Sequence, residues 1–187
     1  MQGIPLSYNA ELRVLSFSDA HAMFELVDSG RHYLREFLPW VDQSRDSHDT
    51  AQFIQATIHQ RERNQGIHYG IWFRGLFAGT IGVHSINWSN RNTSIGYWLG
   101  EQFQGNGLMT ASVREYINQL VFGTWNLNRV QINAAIQNHK SRAIPERLGF
   151  QMEGILRQNE FLNDHYVDHA VYGMLADDWR KIKAKSY

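Results

Sequence analysis

The chain has 187 residues, 43% of them hydrophobic and 13% aromatic, and its 18 basic residues are matched by 18 acidic ones. That is enough apolar material for one core in a single domain spanning 1–187, and too little charge bias for the long-range attraction that marks binders of nucleic acid or anionic membranes. No cysteine is present, which excludes disulfides, thiolate zinc sites and cysteine nucleophiles together.

The opening residues MQGIPLSYNAELRVL lack the basic start and apolar run of a secretory signal, and nothing later resembles a membrane span, so a cytoplasmic protein is expected. Glu11 to Leu15 reads as a short strand. Ser18 can cap a helix to about Asp28, with Ala20, Met23, Phe24 and Val27 at helical spacing. A second short helix is expected from Arg31 to Leu38, broken by Leu38-Pro39-Trp40. Ser47 or Asp49 then starts a longer one to about Asn64, closed by Gly66.

From His68 to Leu99 the pattern changes to aromatic and β-branched runs, separated at Arg74-Gly75 and at Ser89 to Asn92, which is the pattern of an antiparallel meander. A glycine-containing loop leads into a helix from about Leu108 to Phe122, and Arg129 to Ala135 returns as a strand. Strand, loop, helix and strand in that order make a βαβ unit with parallel strands. A short helix from His139 to Arg147 contains Pro145, whose missing N–H deprives the Ser141 carbonyl of its helical partner. A strand from Phe150, a turn near Asn163-Asp164 and a last strand from Tyr166 to Leu175 follow, and Lys181, Lys183 and Lys185 read as a solvated tail. The expected fold class is mixed α/β.

The densest chemical signal is Gln102-Phe103-Gln104-Gly105-Asn106-Gly107-Leu108-Met109-Thr110, between a strand and a helix. Two glycines let backbone N–H groups approach an anion, and a helix N-terminus adds unpaired donors, so a pyrophosphate is the natural ligand. A nucleoside triphosphate loop would need Gly-Lys-Ser/Thr where Gly107-Leu108 stands. A dinucleotide fold would need an acid about 20 residues on, where WNLNRVQ has none.

Gln-x-x-Gly-x-Gly after a meander resembles the pyrophosphate loop of the GNAT superfamily of acetyl-CoA-dependent N-acetyltransferases. Ile95-Gly96-Tyr97-Trp98-Leu99 is similar to the family's central strand, which splays from its neighbour, and Asn138-x-x-Ser141 with Leu148-Gly149-Phe150 to its second CoA-contacting helix. Phe37-Leu38-Pro39-Trp40, Glu153-Gly154, Glu160 to Asp164 and Tyr172 resemble the RimJ/RimL branch, which acetylates N-termini of ribosomal proteins. The resemblance implies a twisted, mostly antiparallel mixed sheet flanked by helices with one central βαβ crossover. It implies acetyl-CoA as co-substrate, contacted by Trp98, Leu99, the loop from Gln102 and Gln104 to Thr110, Asn138 and Ser141.

The branch further implies Glu160 as general base, directly or through water, with Glu101 as the other candidate, because Thr93-Ser94-Ile95 carries Ser94 where many relatives have a glutamate. Ser141 is the candidate acid for the departing thiolate, or a helix cap, and Asn138 would contact the pantetheine arm, cap the same helix, or both. Tyr33 and Trp40 are expected to wall the amine pocket. No metal site is expected, His68 and His84 read as core or cleft residues, and a homodimer is a possible assembly. The branch resemblance implies a protein N-terminus, such as that of a ribosomal protein, as acceptor; the other readings are an acetyltransferase for a small-molecule amine and a CoA-binding sensor without turnover.

Overall fold

A computed structural model describes residues 3–7 and 9–184. The strands are β1 (Ile4–Ser7), β2 (Ala10–Val14), β3 (His68–Phe73), β4 (Leu76–Asn87), β5 (Asn92–Leu99), β6 (Arg129–Ala135), β7 (Gln151–Leu162) and β8 (His165–Leu175). The helices are α1 (Ala20–Ser29), α2 (Arg31–Leu34), α3 (Ser47–Glu62), α4 (Leu108–Tyr116), α5 (His139–Arg147) and α6 (Ala176–Ala184). The strands form one mixed sheet in the order β1-β2-β3-β4-β5-β6-β8-β7. Chain contacts divide into two compact units, 1–83 with 97–112, and 84–96 with 113–187.

In the first unit β1, β2, β3 and the start of β4 pair antiparallel, and the turn between β3 and β4 is Arg74-Gly75, both at positive φ as a tight hairpin requires. Alternation buries Leu12, Tyr69, Ile71 and Ile81, while α1 and α3 turn in Met23, Leu26, Val27 and Ile54. Each such side chain contributes about 1.5–3 kcal/mol of transfer free energy. The chain enters α1 through a short 3-10 turn opened by Ser16, not Ser18: the Ser16 N–H donates to Asp19 Oδ2 (2.9 Å). Asp46 caps α3 by accepting from His48 and Asp49 N–H groups. Arg31 to Leu38 closes as one short helix, α2, followed by turns, as Pro39 approaches.

In the second unit β5 and β6 pair in parallel, as a βαβ unit requires, but only at Asn92–Ser94 against Arg129–Gln131. The pairing ends there, although β5 runs on to Leu99 and β6 to Ala135. Helix α4 gives way at Ile117 to a π-helical stretch ending at Thr124, a wider turn in which a Cβ on Gly123 would stand 2.6 Å from the Asn118 carbonyl. The apolar spacing that read as one α-helix to Phe122 does not distinguish the two windings. The residues after β8 form helix α6, anchored by the buried Trp179, whose Nε1–H donates to Asn118 Oδ1 (2.7 Å), while Lys181, paired with Asp178, and Lys183 are exposed on it. Lys185 lies outside the described residues.

Strand β8 is antiparallel to β6 on one edge and to β7 on the other. Arg129 of β6 reaches across it to Glu153 of β7 in a two-pronged ion pair (2.5 Å for each oxygen). Gly173 makes that crossing possible, because a Cβ there would come within 2.2 Å of Glu153 Oε1 and 2.6 Å of Arg129 Nη1. The Arg129 hydrogen bonds hold the Glu153 carboxyl below its usual range. The stabilisation is present while Glu153 is ionised and is lost as the pH falls through its lowered pKa. Glu153→Gln should therefore cost at most about 1 kcal/mol at pH 7, solvent screening included, and the difference in melting temperature from the parent should vanish in an acid titration.

Candidate active site

The loop after β5 is fixed from below. Gly100 N–H donates to the Ala78 carbonyl (2.9 Å), and the buried Phe103 ring meets Phe73 edge-on at 6.5 Å. The chain then turns outward through Gly105 (φ +78) and Gly107 (φ +70), where a Cβ would meet nothing within 4 Å. The glycines there answer to dihedral angle, not to space, since the left-handed region costs other residues about 1–2 kcal/mol. Asn106 turns its amide inward, donating to the carbonyls of Phe103 and Gln104 (both 3.1 Å), and so shapes the loop.

Ala111 N–H bonds to the Gly107 carbonyl (3.0 Å), which leaves the N–H groups of the first turn of α4 outside the helix's own ladder. The Leu108 and Met109 side chains are buried, so what these residues can offer an anion is backbone. Thr110 is half-buried and Gln102 exposed. The outward glycines and the unladdered donors fit a pyrophosphate.

Gln104 leaves the loop in the opposite direction and donates from Nε2 to the Tyr33 hydroxyl at 2.5 Å, joining the loop to α2. Trp98 is buried at the end of β5, with Trp40 at 5.8 Å and Phe77 at 6.5 Å between ring centroids. Tyr33 and Trp40 are thus each tied to a member of the predicted cofactor set. Leu99 is half-buried at the strand's end, and Glu101 is exposed in the turn that follows.

In the second unit Asn138 caps α5, its Oδ1 accepting from the Ser141 N–H (3.0 Å). Ser141 itself is half-buried in the first turn. The helix continues through Pro145 to Arg147, so the ring does not stop it, and after it the Leu148 N–H is shared between the carbonyls of Ile144 and Pro145. Arg142 and Tyr172 hold α5 to the sheet. Arg142 donates to the Ile136 carbonyl (2.9 Å) and to the Tyr172 hydroxyl (3.0 Å), which in turn donates to Glu146 Oε1 (2.7 Å). Burial, then the bond to Glu146, raises the pKa of the Tyr172 phenol.

Glu160, on β7, meets His169 of β8 at 3.2 Å, Oε2 to Nε2, and Asn159 Nδ2 stands 3.2 Å from the other ring nitrogen. Sequence reasoning passed over Arg142, Glu146, Asn159 and His169. Tyr172 stood out as a family marker, but its partners lie on α5 about 30 residues away and carry no local signature. His165 and His169 have the i, i+4 spacing of a metal pair, but on a strand that spacing spans roughly 13 Å and brings no two ligands together. Among the described residues no group of three His, Asp or Glu could hold a metal ion. His68 is a packed residue, with Nε2 at 3.0 Å from the Val83 carbonyl, whereas His84, beside Gly96, is exposed and not a core residue, even though desolvation lowers its pKa.

The acetyltransferase (GNAT) domain family model matches residues 10–151. The chain is 35% identical to a putative ribosomal N-acetyltransferase, YdaF, of Bacillus subtilis (strain 168), covering 90% of this chain and 92% of the relative. It is 28% identical to the ribosomal-protein-serine acetyltransferase of Escherichia coli (strain K12), covering 93% and 97%. Among solved structures, RimL, a ribosomal L7/L12 alpha-N-protein acetyltransferase in complex with coenzyme A, superposes with a TM-score of 0.89 at 29% identity, covering 93% of this chain and 98% of that one. The chain belongs to the GNAT acetyltransferase family. Within it, the chain is an acetyl-CoA-dependent N-acetyltransferase of the RimL/RimJ-like branch.

The network around Tyr172 can be tested on its own. Tyr172→Phe should lower unfolding stability by about 1 kcal/mol in urea titration, because the hydroxyl both accepts from Arg142 and donates to Glu146.

Proposed function

We propose that this enzyme transfers the acetyl group of acetyl-CoA to the α-amine at the N-terminus of a ribosomal protein. The observation that carries the reading is the near-full-length similarity to ribosomal-protein acetyltransferases, and the pairing of acids in the segment around Tyr33 and Trp40 supports it. Of the three acids from Asp28 to Asp42, Asp42 is ion-paired with Arg35 and Asp28 with Arg31, Glu36 being the third, so the segment offers a polycation no cluster of unmatched carboxylates. A polyamine acceptor would want one.

The pyrophosphate would lie against the backbone of Gly105, Gly107, Leu108, Met109 and Thr110, with Gln102 and Gln104 shaping the approach. Trp98, Leu99, Asn138 and Ser141 would serve the pantetheine arm, and Tyr33 and Trp40 the acceptor. A neutral amine attacks the acetyl carbonyl carbon and the C–S bond breaks. Glu160, directly or through water, takes the proton the amine gives up, and the Ser141 hydroxyl supplies one to the thiolate.

An α-amino group has a pKa of about 7.7–8.0 against about 10.4 for lysine, so at pH 7 about a tenth of it is already neutral. The difference of about 2.5 units, about 3.4 kcal/mol, is what a lysine-directed enzyme must supply and this one need not.

Thiol release from acetyl-CoA should be seen with peptides that carry a free N-terminus and not with the same peptides blocked. Turnover of spermidine or an aminoglycoside at an equal rate, or of blocked peptides, would replace this reading. Glu160→Gln and Ser141→Ala should each lower kcat by about tenfold or more while acetyl-CoA binding persists. Retained kcat in either variant removes that residue from its role, and binding without any turnover in the parent would make the chain a sensor.

A further inference from the structure

The register of the β7–β8 hairpin contains an irregularity whose placement is chemical. Leu156 stands opposite His169, and the next registered pair is Glu160 opposite Val167. Arg157, Gln158 and Asn159 therefore face Asp168 alone, two residues more than a regular ladder allows. The chain absorbs them by setting Gln158 at φ +52, with its N–H held by Asp168 Oδ1 at 2.8 Å. A non-glycine residue in that region costs on the order of 1 kcal/mol, and bulges of this kind commonly re-aim a side chain.

Here the insertion is even, so Leu156 and Glu160 remain on the face of the ribbon that carries Val167 and His169. Asn159 swings onto one nitrogen of the His169 ring and Glu160 onto the other, each at 3.2 Å. The amide nitrogen of Asn159 can only donate. With Asn159 Nδ2 as the donor, Nδ1 of His169 accepts, the ring proton is assigned to Nε2, and Nε2–H donates to Glu160 Oε2. The imidazole side chain is 13% exposed and the carboxylate 32%, so the ring is enclosed while the acid still reaches outward.

We infer that His169 is the positioning residue for Glu160: locked in its Nε2–H tautomer by Asn159, it pins one carboxylate oxygen and leaves Oε1 aimed to receive the amine proton. The inference rests on Glu160 being the base. Its chemistry is that of preorganisation, the rotation of the carboxylate being removed before the substrate arrives.

The test is steady-state kinetics on the full chain with acetyl-CoA and a free-N-terminus peptide. His169→Leu should lower kcat about tenfold, the scale of one hydrogen bond to a charged group, with KM for acetyl-CoA unchanged. His169→Gln, whose amide N–H can occupy the place of Nε2–H, should restore most of the loss. In a Glu160→Gln background His169→Leu should cost nothing further. An equal loss in that background, or a rise in KM with kcat intact, overturns the proposal by making His169 merely structural. If Glu160→Gln alone leaves kcat unchanged, the base assignment falls first and the positioning role with it, an outcome distinct from the others. Asn159→Ala removes an exposed side chain and leaves the buried side chains untouched. It should reduce kcat severalfold at an unchanged melting temperature, and full activity there also overturns the proposal.

Discussion

The second unit depends on the register of β8. That strand is hydrogen bonded along both edges, with His169 opposite Ala135 on one side and Leu156 on the other, so its alignment is set twice. Six consecutive residues then each serve a neighbour or the core. Asp168 caps the bulge, His169 meets Glu160, Ala170 and Val171 fill the interior and the ladder, Tyr172 fastens α5, and Gly173 leaves room for the ion pair between Arg129 and Glu153. Side chains alternate along a strand, so Tyr172 and His169 point to opposite faces. A slip of one residue would exchange them all.

The first unit carries the proposed anion site, and it does so without a cation in the loop. Its loop offers no lysine, and the nearest polar side chains, Asn106 and Gln104, are turned to the protein's own carbonyls and to Tyr33. What remains for a ligand is oriented backbone at a helix start. Such donors are held by the chain itself, and their direction follows from two positive dihedral angles and from Phe103 seated against Phe73.

Much of this was legible in the sequence because it rests on local rules. The glycine loop, α5 with its Asn138 cap, the Asn163-Asp164 turn and β6 follow from residues within a few positions of one another. The parallel pairing of β5 with β6 followed from element order. What was not legible depends on partners distant in the chain. The hydrophobic period does not register a π turn, and the bulge in β7 leaves no mark in QMEGILRQNEFL, because its cause is a carboxylate on the next strand. Helix α6 hides in a polar, lysine-containing stretch whose one strong anchor, Trp179, meets Asn118 about 60 residues back. Glu160 was singled out by resemblance, and its surroundings came only with the hairpin.

The short hydrogen bond from Gln104 to Tyr33 carries a thermodynamic consequence. It couples the loop proposed for the cofactor to the helix proposed for the acceptor, so ordering either one lowers the cost of ordering the other. Linkage of this kind is reciprocal: whatever factor the first ligand adds to the affinity for the second, the second must return to the first. A bond between two neutral side chains in one unit would thereby let each proposed substrate favour the other by the same factor, whichever arrives first.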